Sequence, residues 1–561
     1  MPKPDHRPKS DRVSMAWAGV KSENLATVWL LYHLTDMLNM SEFRQVVQLL
    51  GLARKESEAY EDYVKRIRDK HGVVVNNEAI MEAAFEEAKK EIKSDMIFSG
   101  HEDALENLSR LHFKIDINHL NLKEKNAFHI YRLGFIRLRS LNFEMKRRFT
   151  RIQELLEQYP DNKNPDLKEA LFDSLENFYI SLNSNTDPRL IYTESRNQVN
   201  LSEMQPVTPE GILSRFGHIT HEDIWIDGLI PSEVIDLLQS HLIQNFRRLL
   251  TLRHYDMEVL SKIRDFRILI NLFYSIYLSK KMGISTELDP VLSFPLGPNS
   301  ISIMEAALAY QTIMTGHVYP VTDMMVTGMV PIITRILDRD GETIWEYTPK
   351  PKQILKRSIS VQISEILRLV MEKGTGKKAR DAVKLSLDIE GEKFDISIPS
   401  FGKTGTANRF TNSSFVGFIP GPKEDSGQLD IQQGYVVASY VGYDDNRPMK
   451  GKHISIYGSS GALPLWVDTT NTIVNSHDYR NKLEPADLAF DAQSLLMPEN
   501  KELIPIPLSP ITGLPLLGED QGTTKNHSHI LSNIAIKEGK LEFKRIFDPI
   551  IGADHEGNPE N

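Results

Sequence analysis

Residues 401–406 have the sequence Phe-Gly-Lys-Thr-Gly-Thr, and the sheet that we predict for this protein is centred on them. Residues 393–399 alternate between polar and apolar, and residues 415–419 are mostly apolar and precede Pro-Gly. These two patterns indicate a β-strand on each side, so Lys403 lies within a predicted antiparallel sheet. A lysine and two threonine hydroxyls on one strand can hold a carboxylate, and the glycine between them leaves a ligand room at the strand edge.

The composition is that of an ordinary globular protein of 561 residues, which permits about three or four domains. The net charge of −10 argues against general nucleic-acid binding, and the absence of cysteine excludes disulfides and thiolate catalysis. The sequence contains no His-Glu-x-x-His and no nucleotide-binding glycine loop, so we expect neither a metal nor a cofactor. No apolar run is long enough to predict a transmembrane helix, and the first residues contain no apolar signal region.

Several segments accompany the Lys-Thr-Gly-Thr stretch in a fixed order. They are Pro-Leu-Gly at 295–297, a helical pattern at 303–310, Lys-Gly-Thr-Gly at 373–376, an apolar run at 435–441 and Gly-Ser-Ser-Gly-Ala-Leu-Pro-Leu-Trp at 458–466. Over about 285–470 this series resembles the second half of the transpeptidase domain of penicillin-binding proteins. Its centre resembles Lys-Thr-Gly, the third signature of the penicillin-recognising serine enzymes.

The resemblance implies a mixed α+β fold, in which helices pack an antiparallel sheet and a helical insertion interrupts the domain. We predict four parts: a first transpeptidase segment at 1–48, the insertion at 49–260, the main transpeptidase segment at 261–484 and a proline-containing tail at 485–561. The insertion carries apolar residues at helical spacing against charged faces. Its basic stretch at 121–159 also contains glutamates, which favours a solvated helix face over a surface for anionic polymer or lipid.

Ser22-Glu23-Asn24 precedes a predicted helix and fits Ser-x-Asn, the second signature of the family. The alternative is that Ser22 or Asn24 only caps that helix. We favour the signature because Lys-Thr-Gly-Thr occurs in the same chain. It follows that the side chains of Ser22 and Lys403 should lie about 3–6 Å apart, close enough for proton transfer directly or through one water.

The nucleophile of the family is a serine in Ser-x-x-Lys at the start of a helix. The only such string here runs from Ser400 to Lys403, and on a strand those two side chains would face opposite sides, so we reject it. No nucleophile is therefore assigned. We expect the chain to begin inside a transpeptidase domain, with an upstream chain carrying Ser-x-x-Lys and a membrane anchor. The alternative is an inactive relative kept as a scaffold.

The resemblance also implies roles for the catalytic residues. Ser22 would pass a proton to the leaving amine, Asn24 would hydrogen-bond the substrate amide, and Lys403 would supply positive potential towards the substrate carboxylate and towards Ser22. The backbone N–H of Thr406 would form half of an oxyanion hole.

The substrate-binding residues would lie around Lys403. The hydroxyls of Thr404 and Thr406 would hold the carboxylate, and Gly405 would leave the ligand room. The glycine-rich segment of Gly374, Thr375 and Gly376 would shape the wall of the cleft.

By resemblance, the function is peptidoglycan cross-linking, an acyl transfer on D-Ala-D-Ala stem peptides at the periplasmic side of the cell envelope. Stem peptides and β-lactams are the expected ligands, and this chain by itself is expected to be inactive. A β-lactamase is disfavoured because the 458–466 block and the long insertion resemble the synthetic enzymes. A different class of function is a non-catalytic cell-envelope interaction or scaffold protein that uses 49–260 as its binding surface.

Overall fold

The structure, a computed structural model, forms two compact units, Met1–Ala53 with Ile268–Asn561, and Arg54–Arg267. It describes residues 13–116, 125–158, 165–181, 188–194, 204–209, 211–212, 220–321, 329–389, 391–423, 427–476, 479–483, 495, 503–516, 528–532, 534–537 and 540–543. The chain passes between the units after Ala53 and after Arg267. The four-part division drawn from the sequence stays a prediction.

The first unit is built on a three-stranded antiparallel sheet. Its strands are Phe401–Thr406, which we call the Lys403 strand, Asn412–Pro422 in the centre and Leu429–Gly442. Lys403 lies opposite Val416 in the register of the first pair. An antiparallel sheet that contains Lys403 and the mixed α+β class are therefore confirmed. The strand predicted at 393–399 lies outside this sheet and pairs with Lys384–Ile389.

Alternation along these strands directs aromatic residues to both faces of the sheet. On one face Phe401 stacks on Phe418, with ring centroids 4.9 Å apart, and on the other Phe415 meets Trp466 edge-on at 5.0 Å. The helices Ile303–Thr315, Arg357–Lys373 and Ala462–Ser476 pack against the sheet. Because both faces are covered, every buried ring adds about 1.5–3 kcal/mol of hydrophobic stabilisation.

Three short helices from the start of the chain belong to the same unit: Met15–Lys21, which we call the Ser22 helix, Asn24–His33 and Met40–Leu49. The Ser22 helix packs on Arg357–Lys373, which we call the wall helix. The helix Asn24–His33 packs on Arg264–Lys281 through Leu31, Ile268 and Leu272.

Smaller antiparallel pairs complete the first unit. They are His317–Val318 with Lys352–Gln353, Arg335–Leu337 with Thr343–Glu346, Lys384–Ile389 with Glu392–Ser397, Ile504–Leu508 with Ser528–Ser532, and Ile534–Lys537 with Lys540–Phe543. The strand Ile504–Leu508 contains two prolines, although proline lacks the N–H that strand pairing uses. The backbone nitrogen and carbonyl of a strand residue point to the same side. Pro507 O accepts from Leu516 N at 2.9 Å, on the side away from the partner strand, so the missing N–H of Pro507 removes no bond of this pair.

The second unit, Arg54–Arg267, is mainly helical, as the sequence predicted for the insertion. Its helices are Tyr60–Lys65, Asn77–Phe98, Leu105–Arg110, Lys125–Arg132, Phe135–Glu157, Pro165–Ser174, Ser232–Leu250 and Met257–Leu260. It also contains a five-stranded sheet, formed by Phe178–Ser181, Arg189–Tyr192, Met204–Pro206, Trp225–Ile226 and Ile230–Pro231. These strands have two to four residues, too few for an alternating pattern to indicate them.

The basic stretch of this unit lies on the helix Phe135–Glu157, and carboxylates pair with its cations. Glu144 accepts from Arg147 at 2.8 Å and from Arg148 at 3.1 Å, and Arg137 pairs with the buried Asp227. This pairing favours a charge-balanced helix face over an anion-binding surface.

Candidate active site

Lys403 and Ser22 meet at the edge of the sheet, although they are far apart in the sequence. Lys403 Nζ donates to Ser22 Oγ at 3.0 Å and to Thr404 O at 3.1 Å. The distance predicted between the two side chains is therefore confirmed. Their catalytic roles remain predictions.

Ser22 reaches this place because it ends the Ser22 helix in a left-handed conformation, with φ 61° and ψ 49°. Its backbone N–H caps that helix by donating to Gly19 O at 3.3 Å. Only a few per cent of residues other than glycine adopt this conformation, and such residues cluster at functional sites. Ser22 thus caps the preceding helix with its backbone and contacts Lys403 with its side chain.

Asn24 lies two residues further on, at the start of the helix Asn24–His33. Glu23 occupies the N-cap position of that helix and makes no side-chain hydrogen bond there. The Ser22 side chain therefore does not cap the helix Asn24–His33, because its hydroxyl faces Lys403.

The surroundings of Lys403 alter its acidity. Burial lowers the pKa of its ammonium group to about 8, because the charged form loses hydration. No carboxylate pairs with Lys403 in the described part of the chain. A lysine with such a pKa holds and releases a proton near neutral pH, as a group that exchanges protons with a serine hydroxyl must do.

The wall predicted at 374–376 lies against the Lys403 strand. The Thr404 hydroxyl donates to the Thr375 hydroxyl oxygen at 2.7 Å. A Cβ on Gly374 would collide with Val20 O of the Ser22 helix and would lie 2.8 Å from Val370 Cα. One on Gly376 would lie 2.9 Å from the Met371 sulfur. Gly374 is thus required by the close approach of the wall helix and the Ser22 helix, whereas Gly376 packs against the wall helix alone.

Thr406 and Gly405 contact neighbours that the sequence did not suggest. Gly458 N donates to Thr406 Oγ1 at 2.9 Å, so the loop before the helix Ala462–Ser476 adjoins the Lys403 strand. A Cβ on Gly405 would collide with Ser414 Oγ of the paired strand. Packing against the paired strand is thus a second reason for this glycine, and its predicted role in giving a ligand room stays a prediction.

The turn after the Lys403 strand carries features that sequence reasoning missed. Arg409 and Phe410 both have left-handed backbones, with φ 58° and 60°. Lys450 lies over the Phe410 ring at 5.7 Å, and Lys378 lies over the Tyr457 ring at 5.6 Å. Cations thus lie over the ring of Phe410, in the turn after Thr406, and over the ring of Tyr457, next to the Gly458 that donates to Thr406. Their spacing in the sequence gives no signal, because three separate segments supply them.

Two further properties concern the described residues only. None of their helices is both long and apolar enough to cross a membrane. Within the same ranges, no three His, Asp or Glu side chains are grouped closely enough to hold a metal ion.

Comparison with known proteins supports one family. No family model matches the chain. The chain is 27% identical to penicillin-binding protein 1A of Aquifex aeolicus over 202 residues, which cover 36% of this chain and 22% of that protein. It is 24% identical to penicillin-binding protein 1B of Escherichia coli over 189 residues, covering 33% of this chain and 18% of that protein.

A third relative, penicillin-binding protein 1A of Neisseria gonorrhoeae, is 31% identical over 189 residues, which cover 33% of this chain and 19% of that protein. The match to each of these curated relatives thus spans about a fifth of its length. Together with the fold and the Lys403–Ser22 contact, these similarities support a transpeptidase domain like that of the penicillin-binding proteins in this chain.

Proposed function

We propose that this chain supplies the lysine and serine of a penicillin-binding transpeptidase site, which cross-links peptidoglycan by acyl transfer on D-Ala-D-Ala stem peptides. The observation that carries the proposal is the 3.0 Å hydrogen bond from Lys403 Nζ to Ser22 Oγ. The similarity to penicillin-binding proteins 1A and 1B supports the same chemistry, because those relatives are named for binding penicillin. The site would face the periplasmic side of the cell envelope.

In the proposed reaction, Lys403 and Ser22 move one proton. As the scissile amide bond breaks, the Ser22 hydroxyl gives its proton to the leaving amine, and the Lys403 ammonium returns a proton to Ser22 Oγ. Lys403 is then neutral and regains a proton, which balances the proton that the attacking serine hydroxyl releases when it bonds to the carbonyl carbon. A pKa of about 8 suits this relay, because proton transfer is efficient when the pKa lies near the working pH.

The carboxylate of the substrate would lie beside Lys403 and the hydroxyls of Thr404 and Thr406. Thr375 Oγ1 accepts from Thr404 Oγ1 at 2.7 Å, so the Thr404 hydroxyl would turn from Thr375 to the carboxylate when a substrate binds. The cations Lys378 and Lys450, which lie over the rings of Tyr457 and Phe410, would add positive potential around this site. Asn24 would hydrogen-bond the substrate amide, and the backbone N–H of Thr406 would help to stabilise the oxyanion.

The attacking serine would come from another segment that carries Ser-x-x-Lys and a membrane anchor. Ser400 is a poor candidate, because its hydroxyl donates to Ile398 O at 3.2 Å, whereas Lys403 Nζ is directed at Ser22. An unactivated serine hydroxyl attacks slowly near neutral pH. We therefore propose that the chain alone does not form an acyl adduct.

Labelling with a fluorescent penicillin tests this function. The chain alone should give no adduct that survives denaturing electrophoresis, and adding a transpeptidase segment with Ser-x-x-Lys, fused or in trans, should restore labelling. Lys403→Ala should then reduce labelling by about 100-fold or more, in line with losing a proton-transfer group. Lys393→Ala, on the neighbouring strand Glu392–Ser397, is the matched control and should label normally.

Two outcomes would contradict the proposal. A stable adduct on the chain alone would show that it contains its own nucleophile, and mass spectrometry would identify the serine. No labelling with any added segment would favour the non-catalytic scaffold instead.

A further inference from the structure

A turn in the tail of the chain contacts the Ser22 helix. Residues 509–514 close this turn with hydrogen bonds from Ser509 N to Leu514 O at 2.9 Å and from Gly513 N to Ser509 O at 2.8 Å. Ser14 N, at the start of the Ser22 helix, donates to Thr512 O at 2.9 Å. A Cβ on Gly513 would lie 2.6 Å from Trp17 Cγ and 2.7 Å from Ser14 Oγ. The turn therefore lies directly against the first turn of that helix.

The core beneath the Lys403 strand anchors this turn. The preceding strand, Ile504–Leu508, pairs with Ser528–Ser532. Leu503 and Leu531 are buried together with Phe401, the first residue of the Lys403 strand, and with Phe418. The position of the turn and the position of the Lys403 strand thus depend on the same packed side chains.

The wall helix holds the Ser22 helix from another side. Trp17 and Val20 are buried against Leu369, and a Cβ on Gly19 would lie 3.0 Å from the Ile366 side chain. Lys21 Nζ donates to Lys373 O at 2.6 Å. A helix of seven residues is too short to be stable by itself, so its placement depends on these contacts and on the turn.

We propose that the turn 509–514 positions Ser22 against Lys403, with Gly513 and Thr512 as positioning residues that touch neither substrate nor Lys403. Trp17 lies in the Ser22 helix, and Ser22 is the residue that ends it. Because this helix is short, a shift at Trp17 moves the Ser22 hydroxyl by a similar distance. A displacement of about 1 Å is enough to break a hydrogen bond, and it commonly costs about 100-fold in rate at a catalytic site. The chemical meaning of this positioning rests on the proposed function.

Two pairs of substitutions in the full chain test the proposal. Gly513→Ala places a Cβ against Trp17, and Gly51→Ala is its control, because Gly51 has nearly the same φ, 67° against 66°, and no atom within 4 Å of the added Cβ. Ser14→Pro removes the N–H that donates to Thr512, at a φ of −70° that proline accepts. Ser14→Ala is its control, since it loses only the hydroxyl that caps Trp17 N.

The measurement is competitive acetylation of Lys403 across pH, quantified on its peptide by mass spectrometry, with thermal unfolding of each variant. In the unaltered chain the midpoint should lie near pH 8. In Gly513→Ala and Ser14→Pro, withdrawal of the Ser22 helix should hydrate Lys403 and raise the midpoint by about one pH unit. At high pH, where the amine is neutral in every variant, the more exposed Lys403 should be acetylated faster. The two control variants should stay within about 0.2 units of the unaltered chain.

The proposal is overturned if folded Gly513→Ala and Ser14→Pro melt earlier but keep the midpoint of the unaltered chain, because the turn would then only stabilise the fold. If Gly513→Ala does not fold, the acetylation midpoint of Lys403 in Ser14→Pro tests the proposal by itself. A midpoint near 10.5 in the unaltered chain would also overturn it, since Lys403 would then not be enclosed. No penicillin or nucleophile segment enters the assay, so its outcome is separate from that of the penicillin labelling.

Discussion

The Lys403 strand and the Ser22 helix supply the two ends of one hydrogen bond, but different forces hold them. The strand is paired in register along its whole length with Asn412–Pro422. The helix has seven residues, and side-chain packing and a few hydrogen bonds hold it. It follows that strand pairing holds Lys403 rigidly, whereas Ser22 is held by contacts that single substitutions can shift.

The largest expected effect tests the rigidity of the strand. Phe401→Ala removes a buried ring that stacks on Phe418, and it should lower the free energy of unfolding by about 3–5 kcal/mol. Urea unfolding of the full chain measures the change. Phe394→Ala, at an exposed position on the neighbouring strand Glu392–Ser397, is the control and should cost less than about 1 kcal/mol. Equal losses in the two variants would contradict the assignment of Phe401 to the core.

The next effect falls on the contact between the wall and the Ser22 helix. Gly374→Ala inserts a Cβ against Val20 O, so the helix must withdraw. We expect a loss of about 1–3 kcal/mol in the free energy of unfolding together with a higher pH midpoint for acetylation of Lys403. Gly451→Ala is the control, because its nearest neighbour, Ile454 O, lies 3.9 Å away. Unchanged Lys403 reactivity in a destabilised Gly374→Ala variant would show that the Ser22 helix does not depend on this approach.

The pH dependence of stability tests the burial of Lys403. Because its folded-state pKa of about 8 lies below the ordinary 10.5, the unfolded chain binds more protons between these pH values. The destabilising contribution of Lys403 is therefore full below pH 8 and fades as the pH rises towards 10.5. Lys403→Met should be more stable than the unaltered chain at pH 7, and the difference should shrink by pH 10.

Urea unfolding at several pH values measures this difference. The matched control, Lys393→Met, should show no such trend, because that lysine is exposed on the strand Glu392–Ser397. If the free energies of unfolding of Lys403→Met and of the unaltered chain differ by the same amount from pH 7 to 10, the pKa of Lys403 is not lowered.

The smallest effect concerns the backbone of Ser22. Its left-handed conformation costs a residue with a side chain about 1 kcal/mol relative to glycine, so Ser22→Gly should be more stable than Ser22→Ala by roughly that amount. Both variants lose the hydroxyl, and each should lose penicillin labelling in the complete site. Equal stability of the two would indicate that the helix end relaxes away from the left-handed conformation.

Local patterns predicted much of the first unit. The apolar run at 415–419 indicated the central strand Asn412–Pro422, and the helical pattern at 303–310 lies within the helix Ile303–Thr315. Alternation at 393–399 indicated a strand that belongs to a separate pair, Lys384–Ile389 with Glu392–Ser397. Such patterns are short-range properties, because a repeat of 2 or 3.6 residues needs only one face of an element to be buried. The same rule fails for the strands of the second unit, which are too short to show a repeat.

The sequence by itself determined the central strand of the sheet and the chemical groups that the Lys-Thr-Gly-Thr stretch presents, because backbone periodicity and side-chain chemistry are local. Only the tertiary structure decided that Lys403 Nζ lies 3.0 Å from Ser22 Oγ, that Gly374 meets Val20, and that the tail meets Trp17. These contacts join segments separated by tens to hundreds of residues. Packing in the shared core brings these segments together, and no repeat in the sequence indicates which distant segments will meet.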